Sequence, residues 1–130
     1  MSYYAVIRQA GAGWTEGGIA AQPDVARHAA FMNERAEDGF VLFAGPLAGT
    51  EKSRLRALLI VNADHEDDIR HRLADDPWAR TDRLAITRIE PWNVIVGAER
   101  LSAPASRAPT IDRGLIATQL ASPDAPPLRT

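Results

Sequence analysis

The order of apolar runs and helix-start signals along the chain is the feature that most constrains its fold. Short runs rich in β-branched and aromatic residues are typical of strands, and glycine and proline separate them from two helix-like stretches. Pro23 and Asp24 favour the start of the first helix, and Asp38-Gly39 favours its end. The pattern predicts strands at 3–9, 40–44, 55–63 and 83–96, and helices at 23–37 and 66–75.

The resulting order, β-α-β-β-α-β, is the signature of a ferredoxin-like α+β sandwich. In that topology the strands lie in the spatial order 4-1-3-2, with the fourth strand at an edge. Pro91 falls in the fourth strand and removes one donor from the ladder, which an edge strand tolerates and a central strand does not. The position of Pro91 therefore agrees with the predicted topology.

The second face of the predicted sheet needs a cover. Two helices cover only one face, yet strands 2 and 3 are apolar at both odd and even positions. A self-complementary homodimer would bury two such faces against each other, as in a dimeric α+β barrel. The alternative is that the C-terminal tail of the same chain covers this face.

The chain of 130 residues has room for one domain, which we place at residues 1–98. From residue 99 the composition changes to alanine, proline, serine and arginine, which is typical of a tail. Four apolar residues interrupt this tail and favour its docking on the body or on a partner subunit over disorder: Ile111, Leu115, Ile116 and Leu120.

Composition excludes several classes of function. The absence of cysteine rules out disulfides, a thiolate nucleophile and cysteine-based metal sites, and it fits a reducing cytoplasm. A net charge of -2 with interspersed signs predicts no nucleic-acid partner. The start of the chain does not resemble a signal peptide, and no run approaches the roughly 18 apolar residues of a membrane helix. We expect a cytoplasmic protein that has neither a membrane nor a nucleic acid as partner.

His28 and Asp76 are the candidate catalytic residues. His28 lies on the apolar face of the first predicted helix, beside Val25, Phe31 and Met32, where a histidine is more often a core residue than a catalyst. The predicted topology brings His28 and Asp76 to the same edge of the sheet, where imidazole and carboxylate would form an acid/base pair. The alternative for Asp76 is that its carboxylate caps local backbone groups in an Asp-Pro turn.

Three further residues are candidates for substrate binding. Arg8, at the end of the first strand, could bind a substrate carboxylate or remain solvated. Trp78 could form an aromatic wall for a ligand, and Trp14, in the glycine-rich loop, could act as a lid. For both tryptophans the alternative is simple packing.

Five motifs, in this order, resemble the YciI-like (YCII-related) family, and the resemblance spans residues 3–97. They are Tyr3-Tyr4-Ala5-Val6-Ile7, His28 before Gly39-Phe40-Val41-Leu42, Ala44-Gly45-Pro46-Leu47, Ala74-Asp75-Asp76-Pro77-Trp78, and Ile89-Glu90-Pro91-Trp92. The resemblance implies a ferredoxin-like fold of the dimeric α+β barrel superfamily. It also implies an active site built on a histidine-aspartate pair, which falls on His28 and Asp76.

Together these observations predict a cofactor-independent acid/base enzyme of lyase or isomerase type that acts on a small organic molecule. His28 would move the proton, and Asp76 would orient it. The alternative is a non-catalytic small-molecule binding or regulatory module of the same fold. Fold alone does not decide between them.

The purified protein is expected to carry no stoichiometric metal, haem or flavin. His65 and His71 are six residues apart on the second predicted helix and point to different faces, so they do not form a metal pair. The chain also contains neither a complete nucleotide-binding motif nor an H-E-x-x-H sequence. Elemental analysis and an absorption spectrum check this, and one equivalent of zinc or iron would contradict it.

Overall fold

The computed structural model describes residues 2–101. The four apolar residues predicted to dock from the tail lie outside the described residues, and the domain boundary at residue 98 stays a prediction.

A four-stranded antiparallel sheet with helices on one side forms the described part of the chain. The strands of the sheet lie in the order β2-β3-β1-β4, which confirms the predicted ferredoxin-like topology with β4 at an edge. The elements are β1 (Ser2–Ala10), α1 (Val25–Glu37), β2 (Val41–Pro46), β3 (Arg56–Ala63), α2 (Glu66–Leu73), α3 (Pro77–Arg80) and β4 (Leu84–Trp92), with single 3-10 turns at Ile19–Ala21 and Ala98–Arg100.

Four predicted boundaries are wrong by two residues or more. β2 continues to Pro46 rather than ending at residue 44, because Gly45 and Pro46 pair with β3. α1 begins at Val25 rather than at Pro23, because Asp24 has a left-handed backbone with φ of 64°. α2 ends at Leu73, and Pro77 begins a further short helix, α3. β4 ends at Trp92 rather than at residue 96. Trp92 pairs with Tyr3 near the start of β1, so β1 is too short to pair with residues 93–96.

The core lies between the sheet and the helices. Tyr4 and Val6 of β1 and Leu59 and Val61 of β3 point to the helix side, as the alternation of a strand requires. Ile69 and other apolar side chains of the helices pack on them. This face of the sheet is therefore dry, and a polar group placed on it needs a protein partner.

The glycine-rich loop after β1 is packed tightly against the turn before β4. A Cβ on Gly11 would lie 2.4 Å from the carbonyl oxygen of Asp82, and one on Gly13 would lie 2.2 Å from that of Thr81. The amide of the buried Gln22 donates to the carbonyl oxygens of Thr15 and Gly18, and its own oxygen accepts the Thr15 N–H. These contacts fix the loop above the end of β1.

The second face of the sheet is apolar near its centre. Leu58 pairs with Ile7, and Ile60 pairs with Ala5 and Phe43, so these side chains share the face opposite the helices. Phe43 is 56% exposed. This arrangement agrees with the expectation that a second copy covers the face, which stays a prediction.

Within residues 2–101, the helices are all too short or too polar to cross a membrane.

Charged substitutions at two neighbouring positions of β3 test the predicted homodimer. Leu58 faces away from the helices, whereas Leu59 is 1% exposed in the core. We expect Leu58→Glu to leave the fold intact and halve the mass measured by sedimentation equilibrium. Leu59→Glu should unfold the chain, because even truncation of such a leucine costs about 2–5 kcal/mol of unfolding free energy. A wild-type monomer that stays soluble without its tail would contradict the dimer, since an exposed apolar face of this kind favours association.

Candidate functional site

Asp76 lies in the turn between α2 and α3, where local sequence fixes its backbone. Pro77 takes the first position of α3, which suits its ring, and Asp76 is the N-cap. Asp76 Oδ1 accepts the backbone N–H of Trp78 at 3.0 Å. The capping role weighed for this residue is therefore present, and it coexists with contacts to distant side chains.

The structure brings His28 and Asp76 together. His28 is in the first turn of α1, and its Nδ1 lies 2.9 Å from Asp76 Oδ1 and 2.8 Å from Asp76 Oδ2. The Asp76 side chain is fully buried, while that of His28 is 18% exposed. An ionised carboxylate only accepts hydrogen bonds, so Nδ1 must carry the proton and donate it. The second ring nitrogen, Nε2, makes no protein hydrogen bond among the described residues.

Arg8 is the third member of this cluster. Its Nη2 donates to Asp76 Oδ2 at 2.8 Å, and the two side chains are 2% and 0% exposed. Its Nη1 lies 3.8 Å from the sulfur of Met32, and its Nε is buried without a hydrogen-bond partner. The predicted contact of Arg8 with a substrate carboxylate stays a prediction; in this structure its guanidinium is directed to Asp76.

Trp78 supports the imidazole from one side. The two rings are stacked, with centroids 4.0 Å apart and planes 7° from parallel. Trp78 Nε1 donates to the carbonyl oxygen of Pro23 at 2.8 Å, just before α1, and the residue is 1% exposed. The stack and this hydrogen bond together fix the orientation of the His28 ring relative to the start of α1.

Trp14 packs behind Trp78 rather than over an open pocket. The two indoles meet edge to face at a centroid distance of 5.8 Å, and Trp14 Nε1 donates to the carbonyl oxygen of Ser53 at 3.0 Å. Trp14 is 8% exposed. The lid role of Trp14 and the ligand wall of Trp78 stay predictions, and both side chains are buried in this structure.

The electrostatics favour an ionised Asp76. Burial alone raises the pKa of its carboxyl group, but the hydrogen bond and charge of His28, the charge of Arg8 and the Trp78 N–H together outweigh burial. The net pKa of Asp76 is therefore lowered from its ordinary value. At neutral pH the carboxylate is available to orient the imidazole and to stabilise a positive charge on it.

Two surface depressions lie at different edges of the sheet. One of about 270 Å³ lies between α2, α3 and β4, with Arg8, Leu73, Leu84 and Ile86 among its lining residues. Another of about 510 Å³ lies at the opposite edge of the sheet, around Asp38, Asn62 and Arg72. Asp38 binds Arg72 and Arg35 there, at the end of α1 remote from His28. The described residues contain no group of three or more side chains placed to hold a metal ion.

Sequence reasoning identified Arg8 but missed its partner. The signal was present in the strand period: Tyr4, Val6 and Arg8 alternate, so Arg8 must share the helix-facing side with two core residues. A cation on a dry face requires an anion opposite it. Asp76 was the natural candidate, because it is predicted at the same edge of the sheet.

The chain is similar to one protein family and to a protein of known structure. The family described as the YCII-related domain matches residues 3–93. Among solved structures, the chain is similar to 5-chloro-2-hydroxyhydroquinone dehydrochlorinase from Burkholderia phenoliruptrix AC1100 in complex with 2,5-dihydroxybenzoquinone. The TM-score is 0.51 with 22% identity, over 69% of this chain and 93% of that chain, which shows the fold. The search of curated proteins found no significant match.

Asp76→Asn tests the buried charge cluster through its pH dependence. The lowered pKa of Asp76 means that its stabilisation is complete above the pKa of the unfolded chain and is lost as pH falls through the folded pKa. We expect the variant to lose about 3–5 kcal/mol at pH 7, as for a broken buried ion pair. Its stability should also fall less than that of the wild type as the pH drops below about 4, the usual aspartate pKa.

Urea unfolding at several pH values measures this difference. Asp75→Asn is the matched control, because Asp75 pairs with Arg80 in an exposed ion pair on the same turn. Equal acid sensitivity of Asp76→Asn and the wild type would contradict the predicted role of the Asp76 charge.

Proposed function

The chain belongs to the YCII-related domain family, and we propose that it is a cofactor-independent acid/base enzyme of lyase or isomerase type. One observation carries this proposal: a histidine with a partly exposed ring donates from Nδ1 to a fully buried carboxylate. This arrangement leaves Nε2 as the nitrogen that accepts and returns a proton. We also propose that the protein works as a homodimer in the cytoplasm.

In the proposed reaction, Nε2 of neutral His28 removes a proton from an acidic C–H or O–H group of the substrate. The electron pair left on the substrate either expels a leaving group or is reprotonated at another atom by the same imidazolium. The first outcome is an elimination, after which His28 gives its proton to solvent; the second is an isomerisation. Asp76 stabilises the imidazolium, because its negative charge lies within hydrogen-bond distance of Nδ1.

The substrate class is proposed to be a small, planar, hydroxylated or enolisable molecule. The protein of similar fold is a dehydrochlorinase of a chlorinated hydroxyhydroquinone, and it binds 2,5-dihydroxybenzoquinone. Such molecules have acidic O–H groups that match a single neutral imidazole base. At 22% identity this similarity guides the choice of probes for this chain and does not assign the substrate.

A non-catalytic binding or regulatory module is the second candidate, and the geometry of Nε2 argues for the enzyme. The buried carboxylate also stabilises the imidazolium that proton transfer creates, a charge that binding alone does not produce. Turnover separates the candidates, because a binding module shows a ligand-induced rise in melting temperature without conversion of the ligand.

His28→Gln is the decisive variant. We expect it to keep the fold and lower turnover by about 100-fold or more, as for loss of a general acid/base. Asp76→Asn should lower turnover less per folded molecule, because the proton carrier remains. His71→Gln is the matched control, since His71 is exposed on α2 and its Nδ1 lies 3.3 Å from the Asp67 carbonyl oxygen, away from His28 and Asp76.

The assay combines melting shifts with 2,5-dihydroxybenzoquinone and turnover of a panel of chlorinated hydroxyhydroquinones, enols and lactones. Chloride release and ultraviolet absorption follow the reactions. Turnover by His28→Gln equal to that of the wild type would exclude His28 as the base. A ligand that stabilises the protein but is not converted by it would favour the binding module.

A further inference from the structure

A buried arginine at a core-facing strand position requires an explanation. Arg8 is 1% exposed and follows Tyr4 and Val6 on the helix-facing side of β1, where a strand normally carries apolar side chains. Removing a guanidinium from water is costly unless it is paired and hydrogen bonded. Its charge is opposed here by Asp76 at 2.8 Å, and its Nε remains without a partner. Arg8 is therefore buried as a cation although one of its nitrogens lacks a hydrogen-bond partner.

Asp76 receives donors from three different elements. Oδ2 faces Arg8 of β1 and His28 of α1, while Oδ1 faces His28 again and the backbone N–H of Trp78 in α3. These contacts occupy both oxygens of the carboxylate, which offers about four lone-pair positions. Of these three donors, Arg8 is the permanent cation, because its guanidinium is always protonated. The Trp78 amide is neutral, and the His28 ring carries a charge only when it is protonated.

We propose that Arg8 is a positioning residue for the His28–Asp76 pair: it holds Asp76 ionised and oriented, and thereby fixes the Nδ1–H tautomer of His28. This inference rests on the proposed function, because the tautomer matters only if Nε2 is the proton acceptor. Without Arg8, the negative charge of the buried Asp76 carboxylate would be neutralised only when His28 is cationic. When His28 is neutral, the carboxylate would instead take up a proton. A protonated or rotated Asp76 no longer specifies which ring nitrogen carries the hydrogen.

The competing explanation is a structural ion pair that only joins β1 to α3. Such a pair would affect the stability of the fold but not the tautomer of His28 in molecules that remain folded. Contact of Arg8 with substrate is the other competitor, and it would change substrate affinity without changing the ligand-free site. Both competitors therefore predict an unchanged imidazole in the ligand-free protein.

Three variants separate these explanations. Arg8→Gln removes the charge but keeps a donor group, and Arg8→Lys keeps the charge but loses the planar fork. Arg80→Gln is the control, because Arg80 belongs to an exposed ion pair with Asp75 on the same side of the site. Thermal melting first establishes that each variant is folded at the temperature used.

The main readouts are NMR measurements that require no substrate. The ¹⁵N shifts of the His28 ring, assigned with His28→Gln, report the tautomer at a pH where the ring is neutral, and ¹³C shifts follow the titration of Asp76. We expect wild type and Arg80→Gln to show the Nδ1–H form. Arg8→Gln should show a mixture of tautomers and a raised pKa of Asp76, and Arg8→Lys should restore the wild-type pattern. Turnover per folded molecule should fall about 10-fold or more in Arg8→Gln, as for a misplaced catalytic group, and recover largely in Arg8→Lys.

Folded Arg8→Gln with the wild-type tautomer would overturn the proposal in favour of a structural or substrate-binding role. If Arg8→Gln does not fold, Arg8→Lys takes its place, because raising the pH removes the lysine charge within the same folded variant. Mixed tautomers once the lysine is neutral support the proposal, and an unchanged Nδ1–H form at that pH overturns it. Failure of the proposed function is recognised separately, as unchanged turnover in His28→Gln, whereas the NMR result for Arg8 does not depend on turnover.

Discussion

The buried ion pair between Arg8 and Asp76 is the interaction on which the rest of the site depends. It joins the end of β1 to the turn before α3, and both side chains are almost completely excluded from water. Desolvation makes a buried pair costly, and it persists only where further hydrogen bonds complete it. His28 and the Trp78 N–H supply those bonds. The same contacts that make the charges tolerable in the core also bring the imidazole to its place.

The aromatic side chains determine how rigidly the imidazole is held. Trp78 covers one face of the His28 ring, and its own indole N–H binds the backbone just before α1. Trp14 packs edge-on behind it, from a loop whose glycines allow close approach to the turn before β4. A ring held between a carboxylate and an indole has little rotational freedom. Such preorganisation is what general acid/base catalysis needs from its surroundings.

The two faces of the sheet serve separate purposes in our interpretation. The helix-facing side holds the charged cluster and the apolar core around Val6 and Leu59, whereas the opposite side presents Leu58 and Phe43. Successive residues of a strand point to opposite faces, so a substitution at one face leaves the other largely unchanged. Association and chemistry can thus be tested by variants on opposite faces of the sheet.

Local sequence patterns are sufficient to predict the order of strands and long helices, the edge position of β4 and the approach of His28 to Asp76, because strand and helix periods together specify the topology. They do not determine that α3 begins at Pro77, that Arg8 binds Asp76, or that Trp78 stacks on His28. Those contacts depend on side-chain directions and on the few-ångström offsets between β1, α1 and α3. Only the packed tertiary structure fixes such offsets, since a hydrogen bond tolerates errors of a few tenths of an ångström while a periodic pattern places a residue only to within a turn or a pleat.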